Sequence, residues 1–405
     1  MAPARAPGRA LSYAPRVREP LLTPTFVVLA IAHFAHALSF YLYLHLPAFL
    51  TELGGSELFV GVLYGAMSAT AILARPFLGR VMDQRGRRPI MLSGGALGAV
   101  ACAGYLLVGS LGPWIWIVRI SHGLAEAMLF ASLFALATDI VPASRRIEGI
   151  GLFGVSGMLP MAVGGWLGDR VLALGGYDWL FAASVALSLL GLALSLPVRE
   201  PARAAGAPPR GLAAALVDPQ LLPLWLGGLC FAGALSAHFT FLKTYLLPTP
   251  TLSVSSFFST YALTAVALRI FAGRLPERLG PRRVLVGSLV LLAGGLALLS
   301  LPPTEALLYA AGVMAGAGHG YAFPVLLGLV VTRARATERG AALALYTALF
   351  DSGTLLGGPL FGAIAERVSY SAMFLTASAM VLAGLAIFAV MDRRLRPDGA
   401  PPTTA

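Results

Sequence analysis

The sequence predicts an all-α integral membrane protein with twelve transmembrane helices arranged as two pseudo-symmetric six-helix bundles. Three observations support this: an apolar composition, twelve apolar runs and an internal repeat. Of the 405 residues, 58% are hydrophobic and 12% are charged, and the mean hydropathy is +0.80. A water-soluble domain carries about a quarter charged residues, because its surface must be polar. The composition therefore excludes a soluble fold and makes membrane lipid the main solvent.

Each apolar run is long enough to cross the hydrocarbon layer, which takes about 20 residues of helix. In order, spans 1 to 12 cover residues 24–50, 56–78, 89–111, 114–140, 148–169, 177–197, 219–247, 254–274, 283–301, 304–332, 340–365 and 370–391. The expected domains are a tail at 1–23, a bundle at 24–197, a linker at 198–218, a bundle at 219–391 and a tail at 392–405. The first tail lacks the apolar core and cleavage site of a signal peptide, so we expect it to remain on the chain.

The distribution of basic residues predicts the orientation. With both termini in the cytoplasm, 23 of the 29 Lys and Arg residues lie in cytoplasmic loops and tails, and only Arg170 and Arg367 lie on the opposite side. Cytoplasmic loops are rich in Lys and Arg, and such loops lie against anionic lipid. This asymmetry also explains the pI of about 10.2 without nucleic acid as a partner. The Arg-rich and Ala-rich composition suggests a bacterial source, so we expect the bacterial inner membrane.

An internal repeat at an offset of 194 residues supports the division into two bundles. The first copy consists of Arg75, Gly79, Arg80, Asp83, Gly86 and Arg88, and the second of Arg269, Gly273, Arg274, Glu277, Gly280 and Arg282. Each copy lies between the second and third span of its half. A carboxylate at a helix end can accept hydrogen bonds from the N-terminus of a neighbouring helix, and Gly permits a tight turn. Arg75 and Arg269 are expected to brace the two copies.

These residues resemble motif A of the major facilitator superfamily, Gly-x3-Asp-(Arg/Lys)-x-Gly-x-(Arg/Lys)-(Arg/Lys). Here the motif runs from Gly79 through Asp83 and Gly86 to Arg87 and Arg88, with Gln84 as the one departure. The resemblance extends to motif B of proton-coupled members, through Arg119 and Gly123 in span 4, and only loosely to the antiporter motif at 159–165. It implies that spans 1, 4, 7 and 10 line a central cavity and that spans 2, 5, 8 and 11 join the halves.

All histidines lie on the four spans that this resemblance assigns to the cavity. They are His33, His36 and His45 in span 1, His122 in span 4, His238 in span 7 and His319 in span 10. If the resemblance holds, they face a shared aqueous space and take part in substrate or proton binding. For each one, a structural hydrogen-bonding role is the alternative.

Charged side chains within the spans are the other candidates, because each costs about 2.5–3.5 kcal/mol at the centre of the bilayer. Arg119, His122 and Glu126 share one helical face, and Glu126 is expected to couple protons or to bind substrate. Its alternative is a structural ion pair with Arg119. Lys243 either snorkels to the outer interface or faces the cavity. Asp351 is expected to stabilise the contact between the halves, with proton transfer as the alternative.

The sequence therefore predicts a secondary active transporter, not an enzyme, working by alternating access as a proton-coupled exporter or antiporter. Arg119, Lys243 and the histidines favour an anionic or polar organic substrate. One alternative is a metal ion or chelate held by His33 and His36, because imidazole is a good ligand for transition metals. Another is a membrane receptor or enzyme, although no catalytic motif is present. We expect no cofactor and no resident metal, and a monomer whose partners are the substrate, protons and lipid.

Overall fold

The computed structural model describes residues 20–142, 145–200, 212–335 and 338–394, and within these ranges it contains helices and no strands. The helices are α1 (Pro24–Tyr41), a 3-10 turn (Leu42–His45), α2 (Leu46–Glu52), α3 (Glu57–Arg85), α4 (Arg87–Tyr105), α5 (Pro113–Ile140), α6 (Arg146–Ser195), α7 (Leu212–Val217), α8 (Leu222–Leu246), α9 (Val254–Phe271), α10 (Leu275–Leu279), α11 (Pro281–Leu298), α12 (Glu305–Arg333), α13 (Arg339–Arg367) and α14 (Tyr370–Arg394). The all-α membrane fold is confirmed.

Ten helices in the described ranges are long and apolar enough to cross a membrane. One of them, Gly149–Ser195, is two helices joined at a kink, where Gly175 and Gly176 leave helical geometry and Gly176 has a φ of 68°. These two parts correspond to spans 5 and 6. Span 3 corresponds to α4, which starts with two arginines and is rich in glycine, so its mean hydropathy is lower. The twelve predicted spans therefore all have a helix in the structure.

The expected tails and linker lie largely outside the described residues, which omit 1–19, 201–211 and 395–405. Where the structure does describe these segments, it shows two helical stretches in them. Helix α7, Leu212–Val217, occupies part of the expected linker, and the indole of Trp225 donates to the Ala215 carbonyl at 3.1 Å to hold it against α8. Helix α14 continues to Arg394, beyond the expected end at residue 391.

Two helix pairs join the first half of the chain, α1 to α6, to the second half, α8 to α14. Helix α3 packs along α13, and the first part of α6 packs along α9. These four helices correspond to spans 2, 11, 5 and 8, the ones that the resemblance implies. The remaining extensive contacts lie within a half, such as those of α1 with α6 and of α11 with α12.

Glycine allows close approach at the contact between α3 and α13. A Cβ atom on Gly61 would meet the backbone of Gly358, and one on Gly358 would meet the backbone of Gly61. Gly362 lies against the backbone of Glu57 in the same way. Small residues at such a position let two helix backbones pack closely in a membrane. The contact therefore depends on the absence of these side chains.

We expect Gly358→Ala to destabilise the protein by about 1–3 kcal/mol, because the added methyl group must displace the backbone of α3. Gly328→Ala in α12 is the matched control, since a Cβ there meets nothing within 4 Å. The measurement is the thermal unfolding midpoint of both variants in detergent. Equal midpoints for the two variants would contradict the proposed close contact.

Candidate functional site between the two halves

The two ends of the molecule differ in how the halves are joined. We name the end with the turns at Gly86 and Gly280 the motif side, and the opposite end the far side. At the far side, Asp169 of α6 accepts a hydrogen bond from the Ser253 hydroxyl and lies 3.5 Å from Nζ of Lys243. Nδ1 of His45 lies 3.8 Å from the same carboxylate. This cluster, the Asp169 group, links α6 to α8 and α9 across the halves.

The Asp169 group changes the interpretation of Lys243. The sequence left two options for it, the outer membrane interface and the cavity. The structure places its ammonium 3.5 Å from a carboxylate of the other half, at the far side. A charge held in this way is neutralised where two helices meet, which lowers the cost of its burial.

Two further carboxylates join the halves at the far side. Glu57, at the start of α3, accepts hydrogen bonds from the hydroxyls of Tyr370 and of Thr244, the latter at 3.2 Å. Glu366, near the end of α13, accepts from the Leu58 N–H at 2.9 Å and so satisfies an amide in the first turn of α3. The far side is therefore closed by contacts between the halves at both pairs of joining helices.

Among the residues that the structure describes, fewer polar contacts join the halves towards the motif side. Nε of Arg75 in α3 donates to Oδ2 of Asp351 in α13 at 2.7 Å, and the hydroxyls of Ser68 and Thr354 lie 2.8 Å apart. Arg269, the counterpart of Arg75 in the repeat, instead donates from Nε to the Gly320 carbonyl at 3.3 Å, within its own half. The described residues place no carboxylate at ion-pair distance from Arg269. The structure therefore places Asp351 at the contact between the halves, with Arg75 but not Arg269 as a brace across it.

Helix α5 presents Glu126 to the space between the halves. Glu126 lies nine residues after the exposed Ile117, which at about 100° per residue places it on the opposite side of the helix. Its side chain is 27% exposed, and Phe130, one turn further on, is 44% exposed. Because this face points away from the surface that Ile117 presents to lipid, the exposure indicates an internal opening. Glu126 is the carboxylate that lines it.

Arg119 lies behind this opening. It is 1% exposed, its guanidinium lies 4.0 Å from the centroid of the Tyr64 ring, and it donates to the Tyr105 hydroxyl at 3.5 Å. His122 lies between the two charges, with Nδ1 3.4 Å from the Tyr105 hydroxyl and Nε2 4.0 Å from Glu126. In the part of the chain that the structure describes, Arg119 and Glu126 form no ion pair. Glu126 thus has a histidine, rather than an arginine, as its nearest basic neighbour.

The histidines of the first span have separate environments. His33 stacks on Phe153 at a ring distance of 4.7 Å, and its Nδ1 lies 2.8 Å from the Ser156 hydroxyl. His36 packs against Gly191 and lies 3.5 Å from the Ser195 hydroxyl. Both are buried in contacts between helices. Across the described ranges, no group of three or more His, Cys, Asp or Glu residues could hold a metal ion.

In the second half, His319 and His238 lie among aromatic rings. The Tyr261 hydroxyl is hydrogen-bonded to Nδ1 of His319, and Phe231 and Phe323 lie against the imidazole ring. His238 is fully buried, and neither of its ring nitrogens has a hydrogen-bond partner among the described residues. His122 is also buried, at 1% exposure, and His319 is the one histidine that is partly exposed. The expectation that every histidine faces one aqueous space therefore has geometric support at His319 alone. The structure places His33, His36 and His238 in helix packing.

The two motif turns have glycines with positive φ, as expected, but the carboxylate that accepts from the helix start in the first half is not the expected one. Gly86 and Gly280 have φ values of 99° and 87°, in the region that favours glycine. The first N–H groups of α4, from Arg87 and Arg88, donate at 2.9 and 3.1 Å to Glu200, which follows α6. Asp83, the expected acceptor, lies on the exposed end of α3. Sequence reasoning missed Glu200 because it lies in the expected linker, more than 110 residues from its partners.

The remaining motif residues form a similar cluster in each half. Arg87 pairs with Asp139 at 2.9 Å, whereas Asp392 pairs with Arg282 at 3.4 Å and with Arg333 at 2.7 Å. Gly79 lies in open space, Gly273 lies against the Arg269 carbonyl, and Glu277 is in the first turn of α10. In both halves the motif thus anchors the start of the third span to the ends of the fourth and sixth.

Comparisons with known proteins agree with this architecture. The sequence profile described as Major Facilitator Superfamily matches residues 29–256 and 248–405. An uncharacterized MFS-type transporter of Pseudomonas aeruginosa is 27% identical over 356 residues, covering 86% of this chain and 88% of the relative.

Two solved structures share the fold. A bacterial homolog of the human lysosomal transporter Spinster, in an inward-facing and occupied conformation, superposes with a TM-score of 0.77 at 15% identity, covering 93% of this chain and 98% of that one. A mutant form of the nucleoside transporter NupG gives a TM-score of 0.76 at 15% identity, with coverages of 91% and 99%. With a profile match over both halves, the chain belongs to the Major Facilitator Superfamily, whose members are secondary transporters that work by alternating access.

Proposed function

We propose that the chain is a proton-coupled exporter of a small polar organic molecule in a bacterial inner membrane, with both termini and the motif side in the cytoplasm. The excess of Lys and Arg in the loops of the motif side supports this orientation. With the far side closed and Glu126 exposed to an internal opening, the described conformation is then one that faces the cytoplasm.

Glu126 is the observation on which proton coupling rests. The other carboxylates that we have described between the halves all have partners from the opposite half. Asp351 pairs with Arg75 and Asp169 with Lys243, whereas Glu57 and Glu366 accept hydrogen bonds from hydroxyl and amide groups. Glu126 has only His122 within 4.0 Å and remains partly exposed. When the halves close over it, an ionised and unpaired carboxylate would lose its water at a cost of several kcal/mol. Protonation or a bound substrate removes that cost, so each can drive the conformational change in exchange for the other.

We expect the substrate to be polar. Two of the basic residues that favoured an anionic substrate, Arg119 and Lys243, are not available to bind one. Arg119 is buried behind Tyr64 and Tyr105, and Lys243 is neutralised by Asp169. Glu126 lines the opening, and in the second half the partly exposed His319 is a further hydrogen-bonding group, held by the buried Tyr261 hydroxyl. A metal ion as cargo has less support, because His33 and His36 have different neighbours and no coordinating cluster accompanies them in the described ranges.

Glu126→Gln tests the coupling. A polar ligand is first identified by its thermal shift on the purified protein, and its transport is then measured in proteoliposomes with and without an imposed pH gradient. We expect the variant to bind and exchange the ligand but not to accumulate it in response to the gradient, because Gln cannot release a proton. Glu305→Gln, at the far-side end of α12, is the control and should accumulate the ligand as the native protein does. Full gradient-driven accumulation by Glu126→Gln would refute the assignment.

The orientation has its own test. Single cysteines replace Gln84 in the motif turn and Ser110 between α4 and α5, in a chain whose two native cysteines are changed to serine. In intact cells, a maleimide that does not cross the inner membrane should label Ser110→Cys and not Gln84→Cys. After the membrane is disrupted, both should react. Labelling of Gln84→Cys alone in intact cells would reverse the proposed topology.

A further inference from the structure

The membrane-facing surface carries a groove where α6 meets α9, at the contact between the halves. Its volume is about 360 Å³, within the usual range of ~300–1,000 Å³ for ligand clefts. The residues that line it come from both helices and are apolar except for one serine: Leu159, Ala162, Val163, Trp166, Ser259 and Leu263. The Ser259 hydroxyl donates to the Ala162 carbonyl at 2.9 Å, so the polar group is satisfied and the groove is apolar to its occupant.

Exposure and spacing show that the groove opens to lipid. Trp166 is 53% and Leu263 is 52% exposed, although both are large and apolar. Leu159, Val163, Trp166 and Arg170 follow one another at three- and four-residue steps and therefore form a single stripe along α6. Leu159 and Arg170 are eleven residues apart, about 16 Å along a helix, which is about half of the ~30 Å hydrocarbon core. The stripe that runs from the groove to Arg170 is thus about as long as one leaflet is thick.

A basic residue lies at the far-side end of the stripe. The guanidinium of Arg170 is 5.8 Å from the centroid of the Trp166 ring, and in the described ranges it has no carboxylate partner. The neighbouring Asp169 already has Lys243 and Ser253 as partners. Arg170 therefore contributes a positive charge at the far-side end of the stripe. Tryptophan and arginine at the end of an apolar stripe are the residues that contact lipid headgroups. Among the described residues, the far side has two other Lys or Arg residues, Lys243, which Asp169 neutralises, and Arg367, at the end of α13.

We propose that this groove binds an anionic phospholipid of the far-side leaflet, with an acyl chain between α6 and α9 and the phosphate on Arg170. The lipid would touch both halves at once, so it stabilises the conformation in which the far side is closed. The inference depends on the membrane fold and not on the substrate or on proton coupling.

Native mass spectrometry of the purified full-length protein tests the headgroup contact. Phosphatidylglycerol is the anionic probe and phosphatidylcholine the zwitterionic one. We expect a phosphatidylglycerol site that Arg170→Gln weakens about fivefold, which is the typical contribution of one basic residue at an anionic surface. Arg367→Gln is the matched control and should leave the affinity unchanged. Equal effects of the two substitutions, or equal binding of the two lipids, would overturn the proposal.

A second measurement remains informative if Arg170→Gln folds poorly. In bilayers, brominated phosphatidylglycerol should quench the tryptophan fluorescence of the native protein more strongly than brominated phosphatidylcholine at the same fraction. Trp166→Phe should abolish this excess quenching. Trp179→Phe, which removes another exposed far-side tryptophan of α6, should retain it. Excess quenching that survives in Trp166→Phe would place the bound lipid elsewhere and reject the groove.

Discussion

The structure depends on the rule that a charge within or beside the hydrocarbon layer must have a partner or an opening to water. Hydrocarbon offers no hydrogen bonds, so an unpartnered polar group is costly there. The protein applies this rule at the joints between its parts. Asp169, Asp351 and Glu57 each connect one half to the other, and Glu200 connects the end of α6 to the start of α4. The charges that membrane insertion makes expensive are thus the contacts that hold the halves and the motif turns in place.

This use of charge also explains how the halves can separate at one end at a time. At the far side, carboxylates and hydroxyl groups at both helix pairs must release their partners before that end opens. Towards the motif side, the described residues contribute the ion pair of Arg75 with Asp351 and one hydrogen bond between hydroxyls. Between these contacts the helices meet through glycine backbones, as at Gly61 and Gly358, where no side chains interlock. Two smooth surfaces with polar contacts at their ends are suited to rocking.

Sequence reasoning predicted the parts of this structure that a linear pattern records. The apolar runs predicted the twelve transmembrane spans, and the positions of Gly86 and Gly280 located the two motif turns with positive φ. It did not predict which way a polar side chain faces within an apolar helix. His36 lies against Gly191 because α1 packs on the end of α6, and no pattern within α1 reveals that neighbour. Lys243 and Asp169 are 74 residues apart, and neither position identifies the other without the fold.

The clusters at the motif side show how far the two halves have diverged. Asp139 and Arg333 end the fourth span of their halves and are 194 residues apart, so they occupy equivalent positions with opposite charge. The surroundings differ accordingly, since Asp139 meets Arg87 while Arg333 meets Asp392. Each half thus balances the charge at this position with a partner of its own. A chimera that replaced α12 by α5 would set the carboxylate of Asp139 against that of Asp392. The helices of the two halves therefore cannot be exchanged, even though the halves share the same order of spans.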